Sequence, residues 1–434
     1  MLGRLFIQSC RMSTMKVQSP QFKAIFTEGL KTLTDLFAEE KYELRIAGGA
    51  VRDLLAGKQP HDIDFATTAT PDQMKDLFLK KGIRLINNKG EKHGTVTARI
   101  DDQNFEITTL RIDLRTDGRH AEVEFTTDWE QDAERRDLTI NSMFLGFDGT
   151  LYDYFKGYDD LKNRCVRFVG DPAKRIQEDY LRILRYLRFY GRIAEKSGNH
   201  NETTLKAIRE HAPGLGGISG ERIWVELKKI LEGNHVNHLI HLIYELGVAP
   251  YIGLPENGNL EEFSRVCTVA GHLSPKPMTL LTALFSHPDG IQKLDLRLKI
   301  SKEEKGLALF LLKERRELTV DRTEPEPLKP FQDYVIDSRE TDAHKKVCEL
   351  LKYQGEERLL RKMEQWSLPR FPVSGHDLRR MGISSGKEIG RILQELRERW
   401  KESSYQIDKE ELLNSLGGKT QSKPNIPTLD VVGK

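Results

Sequence analysis

The hydrophobic period of this chain changes once, near Pro172, and that single change limits the folds open to it. Residues 20 to about 165 mix two periods: Phe22–Phe37 has helical spacing, whereas TVTARI (Thr95–Ile100) and NFEITTL (Asn104–Leu110) alternate like antiparallel strands. Beyond Pro172 the strand signal nearly vanishes. LRILRYLRFY, RIWVELKKILE, HLIHLIYEL, Met278–Phe285 and EIGRILQELRERW all carry helical spacing. The expectation is an α+β chain: a small N-terminal head with a mixed or antiparallel sheet and helices, followed by an elongated all-helical remainder. The length of 434 residues allows more than one compact unit. Asp321–Lys329 (DRTEPEPLK) is acidic and Pro-bearing and reads as a surface linker, and Gly417–Lys434 lacks periodicity and reads as disordered.

Within the head, Leu44–Ala66 (LRIAGGAVRDLLAGKQPHDIDFA) is the densest stretch. Leu44, Ile46 and Ala47 form an apolar run that stops at Gly48-Gly49, as a buried strand does on entering a tight turn. Ala50–Ala56 has helical spacing and Gly57 ends it. In Asp62-Ile63-Asp64-Phe65, a strand would set both carboxylates on one face and both apolar side chains on the other. Carboxylates so close repel unless a cation lies between them, and Mg²⁺ takes one or two carboxylates plus water and phosphate oxygens. A turn free of side chains lets backbone N–H groups approach a phosphate. Taken singly, a GG turn is commonplace and an Asp-x-Asp is most often a solvated loop or a helix cap. Together, in strand–GG–helix–strand order, they point to a triphosphate–metal site.

Gly48-Gly49, the spacer Ala50–His61 and then Asp-Ile-Asp resemble the signature of the polymerase-β-like nucleotidyltransferases. ERRDLTINSM (Glu134–Met143), DYFKGYDDL (Asp153–Leu161), EDYLRILRYLRFYGR (Glu178–Arg192) and GERIWVELKKIL (Gly220–Leu231) follow in order. The set resembles the five motifs of the class II tRNA nucleotidyltransferases, the CCA-adding enzymes, and of their relatives the bacterial poly(A) polymerases, from about Leu44 to about Trp400. The resemblance implies a catalytic head over 20–165, a base-recognising neck over 166–265, a body over 266–345 and a tRNA-binding tail over 346–416. It implies addition of C, C and A to the 3′ end of tRNA from CTP and ATP, with Mg²⁺ and two-metal catalysis. A poly(A) polymerase shares every motif quoted, and a catalytically silent RNA-binding protein on the same scaffold is the reading of another class.

Asp62 and Asp64 are the expected metal ligands and catalytic residues. Glu106, on the strand after Thr95–Ile100, is a third catalytic carboxylate or a solvent-facing strand residue. The expected nucleotide-binding set is Gly48, Gly49, Arg52, Arg136, Asp137, Asn141, Asp179, Arg182, Arg185 and Arg188. Arg135 and Arg136 precede a helix-like segment; apart from the resemblance they read as a solvated pair, and with it Arg136 is a bidentate triphosphate ligand. Asp137 and Asn141, at i and i+4, by resemblance line the ribose and phosphate side. Arg111–Phe125, with Arg111, Arg115, Arg119 and His120, is by resemblance a flexible loop closing on the nucleotide, and otherwise an ordinary hairpin loop.

Asp179, Arg182 and Arg185 step by three along an expected helix, which alone would be an amphipathic helix with an internal Asp–Arg bridge. By resemblance this Asp and Arg read the incoming base. Cytosine and adenine set an amino donor beside a ring-nitrogen acceptor, which suits a carboxylate next to a guanidinium. Uracil and guanine reverse that order. His235, His238 and His241 are read as a polar helix face rather than a metal site. Ser374 with Asp377 in SGHDL reads as a helix start. The helical tail is expected to grip the tRNA elbow through phosphate and sugar.

Net charge is only +2, so an RNA-binding surface must be a local arrangement of Arg and Lys. Cys10, Cys165, Cys267 and Cys348 lie far apart with no CxxC pair, which predicts reduced thiols and no structural zinc. No apolar run is long enough to span a bilayer. The start of the chain bears Arg4, Arg11, Lys16, Ser and Thr, with no acid before Glu28. That is the composition of a mitochondrial transit segment over 1–19, or of an ordinary tail. Met12 and Met15 offer later starts that would give cytoplasmic and nuclear forms. A monomer and a homodimer are equally compatible with the sequence.

Overall fold

The computed structural model describes residues 15–86, 88–116 and 121–417. The first fourteen residues of the transit-like segment, the C-terminal stretch 418–434, and Arg119 and His120 of the expected loop lie outside the described residues. The chain divides into two compact units, residues 1–268 with 276–312 and residues 269–275 with 313–434.

The first unit opens with two helices where one was expected over Phe22–Phe37. Pro20–Ala24 and Glu28–Glu39 are separated at Thr27, whose extended backbone and Oγ1, accepting from Leu30 N at 3.1 Å, begin a new helix. Leu30, Leu33, Leu36 and Phe37 of the second helix are buried against the sheet.

That sheet has seven strands: β1 (Leu44–Ala47), β2 (Asp64–Thr67), β3 (Arg84–Ile86), β4 (Thr95–Ile100), β5 (Gln103–Thr109), β8 (Phe144–Leu145) and β9 (Leu151–Tyr152), in the order β3-β4-β5-β2-β1-β8-β9. The β2–β5 pair is parallel and the other pairs are antiparallel, so the sheet is mixed. β6 (Arg111–Thr116) and β7 (Ala121–Phe125) form a separate hairpin. In β4, Val96, Ala98 and Ile100 alternate into the core, as the sequence pattern required.

After residue 171 the regular elements among the described residues are all helices. The helix expected to run unbroken through Asp179 is interrupted there. Pro172–Glu178 ends, Asp179 is extended (φ −152°, ψ 104°), and a new helix spans Arg182–Ile193. His235, His238 and His241 each find a local hydrogen bond, to the Ala194 carbonyl, His200 and Ser264.

In the second unit, Val373, Leu378, Ile389, Ile392, Leu396, Trp400 and Leu412 form a core of their own. The helix start at Ser374 is present: Asp377 accepts from Ser374 N at 2.9 Å and from its Oγ at 2.7 Å. Among the described residues no helix is long and apolar enough to cross a membrane.

Candidate active site

β1 leads into Gly48, whose φ of 63° and ψ of −121° are open to a residue without a side chain. A Cβ there would stand 3.0 Å from Arg136 Nη1, so the glycine also makes room for that guanidinium. The Gly49–Leu55 helix then places buried Arg52, which donates to Asn141 Oδ1 at 2.7 Å and to Asp53 Oδ1 at 2.8 Å.

Asp64 begins β2, between Ala47 of β1 and Glu106 of β5, each its register partner. Asp62 sits just before the strand, in a bend, rather than on it. Asp64 is open to solvent, yet the surrounding walls are close. Desolvation raises its pKa above the ordinary carboxylate value, Arg136 pulls the other way, and Asp62 adds to the rise. Glu106 is raised by desolvation first and then by Asp64 and Asp62. Like charge at Asp64 and Glu106 is therefore not fully compensated, the electrostatic condition that a hard cation relieves. Among the described residues no three His, Cys, Asp or Glu side chains form a closed metal cluster. The fit to Mg²⁺ thus rests on the Asp62–Asp64 pair with Glu106 beside it.

Arg135 and Arg136 follow the Trp129–Glu134 helix and lead only into a single 3₁₀ turn, Thr139–Asn141, where a longer helical segment was expected. Both are held by Asp132, which is 1 % exposed. Its Oδ1 accepts from Arg135 Nη2 at 2.9 Å and from Arg111 N at 3.1 Å, and its Oδ2 from Arg136 Nη2 at 3.1 Å. Burial pushes the Asp132 pKa up, but the two guanidinium groups overcome it and hold the carboxyl below its ordinary value. The buried carboxylate of Asp137 accepts from Arg185 Nη2 at 2.6 Å, Leu138 N at 2.8 Å and Asn141 Nδ2 at 3.4 Å. It too is held low, Arg185 outweighing burial.

The residues expected to read the base take other partners. Asp179 is bound by Arg222 Nη2 at 2.8 Å and by Leu181 N at 3.1 Å. Arg182 donates to Glu178 Oε2 at 2.7 Å and to the carbonyls of Arg175 at 3.0 Å and Arg135 at 2.9 Å. Neither the expected helix through all three residues nor an Asp179–Arg182 bridge within it is what these contacts describe. Arg188 pairs with Glu226 at 3.1 Å. Phe189 lies under the guanidinium groups of Arg52, Arg185 and Arg188, 4.7–5.7 Å from its centroid.

All of the candidate residues line one cavity of about 1030 Å³ within the first unit. Its lining combines the carboxylates of Asp62, Asp64 and Glu106 with many arginines, Arg52, Arg136, Arg182, Arg185 and Arg188 among them. Asp132, Arg222, Glu226 and Phe189 were not singled out from sequence. Asp132 lies three and four residues before Arg135 and Arg136, a helical spacing that could have revealed it. Arg222 and Glu226 share the i, i+4 face of the last motif, whereas nothing local marks Phe189.

Residues 44–167 match the poly A polymerase head domain, and residues 201–256 match the probable RNA- and SrmB-binding site of polymerase A. The chain is 69 % identical over 412 residues, 95 % of either chain, to the mitochondrial CCA tRNA nucleotidyltransferase 1 of Mus musculus, and equally to that of Homo sapiens. It is 36 % identical to a CCA-adding enzyme of Staphylococcus epidermidis over 230 residues, 52 % of this chain and 55 % of that one. In fold it is similar to the Bacillus stearothermophilus CCA-adding enzyme in complex with CTP, with a TM-score of 0.70 at 23 % identity, covering 93 % of this chain and 99 % of that one. The Thermotoga maritima CCA-adding enzyme complexed with tRNA gives a TM-score of 0.67 at 21 % identity, covering 94 % and 100 %. On the strength of its near-full-length relatives, the chain belongs to the CCA tRNA nucleotidyltransferase family.

Proposed function

We propose that this chain extends the 3′ end of tRNA by C, C and A, consuming CTP and ATP and releasing pyrophosphate. One observation supports this reading above the others: residues scattered from Gly48 to Arg188 meet in one cavity that holds both the Asp62, Asp64 and Glu106 carboxylates and a set of guanidinium groups. The 3′-hydroxyl oxygen of the RNA attacks the α-phosphorus, and the bond to the pyrophosphate oxygen breaks. Asp62 and Asp64 would hold Mg²⁺, which when bound lowers the pKa of the hydroxyl and neutralises charge on the departing pyrophosphate. Arg136 and the Gly48–Gly49 turn bind the triphosphate. Arg52, Asp137 and Asn141 hold the ribose and phosphate side, with Arg185 and Arg188 behind them. Asp179 accepts from the amino group that C and A share, and Arg182 exchanges one of its protein carbonyls for the ring nitrogen.

The relatives named mitochondrial support a mitochondrial site of action; translation from Met12 or Met15 would omit the acid-free start and give cytoplasmic and nuclear forms. Incubation with tRNA lacking its 3′ terminus and each labelled nucleotide tests the proposal. Addition of CCA alone is expected. Long A tails would instead indicate a poly(A) polymerase, and no incorporation a silent RNA-binding protein.

A further inference from the structure

We propose that Arg222 is a positioning residue for nucleotide choice, clamping the Asp179 carboxylate in the orientation that repels the carbonyl edge of U and G. The inference rests on the reading that Asp179 meets the base. Asp179 has no helical backbone to fix it, since it is extended and lies in the joint between the Pro172–Glu178 and Arg182–Ile193 helices. Its aim is set by two donors, Leu181 N on Oδ1 and Arg222 Nη2 on Oδ2. Leu181 N is only two residues away and turns with the same joint, so among the described residues Arg222 is the hydrogen-bond donor to this carboxylate from outside the joint; Arg185 adds charge without a hydrogen bond to it.

Arg222 is well placed for that task. It lines the cavity from the Gly220–Leu231 helix, whose seat is tightly determined. A Cβ on Gly220 would fall 1.9 Å from the Arg297 carbonyl oxygen, so only glycine lets this helix end approach so closely. One turn further, Trp224 Nε1 is anchored to Glu304 at 3.1 Å. The same helix face carries Glu226, which takes Arg188 at 3.1 Å. One rigid element thus braces an acid and a base at neighbouring points of the cavity wall.

A clamp of this kind acts chiefly on the wrong substrates. An unclamped carboxylate can still turn toward an amino donor, but it can also turn away from a carbonyl oxygen and remove the repulsion that excludes U and G. Arg222 should therefore matter more for rejection than for acceptance.

The test is kcat/KM for CTP and UTP on tRNA lacking CCA, and for ATP and GTP on tRNA ending in CC, in R222M, D179A and the D179A/R222M double variant. R222M is expected to lower the preference for C and A by about 10-fold, mostly through a rise for UTP and GTP, the size of one lost hydrogen bond to a charged group. In the D179A background, R222M should change preference no further, because the two residues act as one unit. R222K, which keeps the charge without the fork, should show the same loss in smaller measure, and it carries the comparison if R222M does not fold. A uniform fall for all four nucleotides in R222M, or additivity with D179A, would overturn the clamp while leaving base reading by Asp179 intact. Full preference in D179A would overturn base reading itself, and the clamp with it.

Discussion

Replacing Asp132 by Asn removes one charge from beneath two arginines of the cavity. The carboxylate is 1 % exposed, and the side chains of its partners Arg135 and Arg136 are 17 % and 19 % exposed. These are therefore not screened surface pairs, and deleting one buried partner costs about 3–5 kcal/mol. Asn keeps the shape and one acceptor, which places the change near the lower figure, about 3 kcal/mol, or on the order of 6 °C in Tm. The sign with pH follows from a folded pKa below the ordinary 3.8. The stabilisation is complete above that ordinary value and is lost only as pH falls through the depressed one. The gap in Tm between wild type and Asp132→Asn, followed by calorimetry, should accordingly be flat from about pH 5 to 9. Because Arg136 would touch only phosphate, kcat/KM should fall by a similar factor for all four nucleotides. A Tm gap that opens only above neutrality, or a loss confined to one base, would refute the assignment of Asp132 as an ionised anchor for phosphate-binding arginines.

Three further changes test the remaining parts of the reading. Asp62→Ala or Asp64→Ala should reduce nucleotide addition by about three orders of magnitude or more through loss of a metal ligand, while tRNA binding by filter retention persists. Near-normal turnover in either would remove the metal assignment. Titration of Mg²⁺ into the metal-free protein at mildly acid pH should release protons, since Asp64 and Glu106 have raised pKa values and a cation lowers them; calorimetry in two buffers of different ionisation enthalpy measures it, and no release would count against the site. Removal of residues 1–14 should leave activity on tRNA unchanged and abolish mitochondrial import of a reporter fusion, whereas unaltered import would identify an ordinary tail.

The division between a mixed sheet and helices was legible because period is a property of neighbouring residues, and Val96, Ala98 and Ile100 display it without help from the rest of the chain. The breaks at Thr27 and Asp179 were not. Each is made by a side chain that a helix also tolerates, and only the resulting cap hydrogen bond distinguishes the two uses. The same limit governs the site. Gly48 and Asp64 announce themselves through local chemistry, whereas Arg136 is picked out only by the resemblance. The pairings that orient the wall join residues far apart, Arg185 to Asp137 across 48 positions and Arg222 to Asp179 across 43. No spacing rule reaches so far, and the i, i+3 step from Asp179 to Arg182 suggested a bridge that neither residue makes.

The crowding of Asp64 with Asp62 and Glu106 has a thermodynamic consequence. An acid whose folded pKa lies above its unfolded value subtracts from stability at neutral pH, and the deficit is relieved as pH falls through the raised value. The carboxylate cluster is then a place where like-charge repulsion works against the fold. With Mg²⁺ held there as proposed, stability would rise with cation concentration as RT ln(1 + [L]/Kd), and heat resistance would become a gauge of metal loading. In metal-free buffer Asp64→Asn should melt above wild type even though it no longer adds nucleotides, the trade of stability for activity expected where like charges are held together.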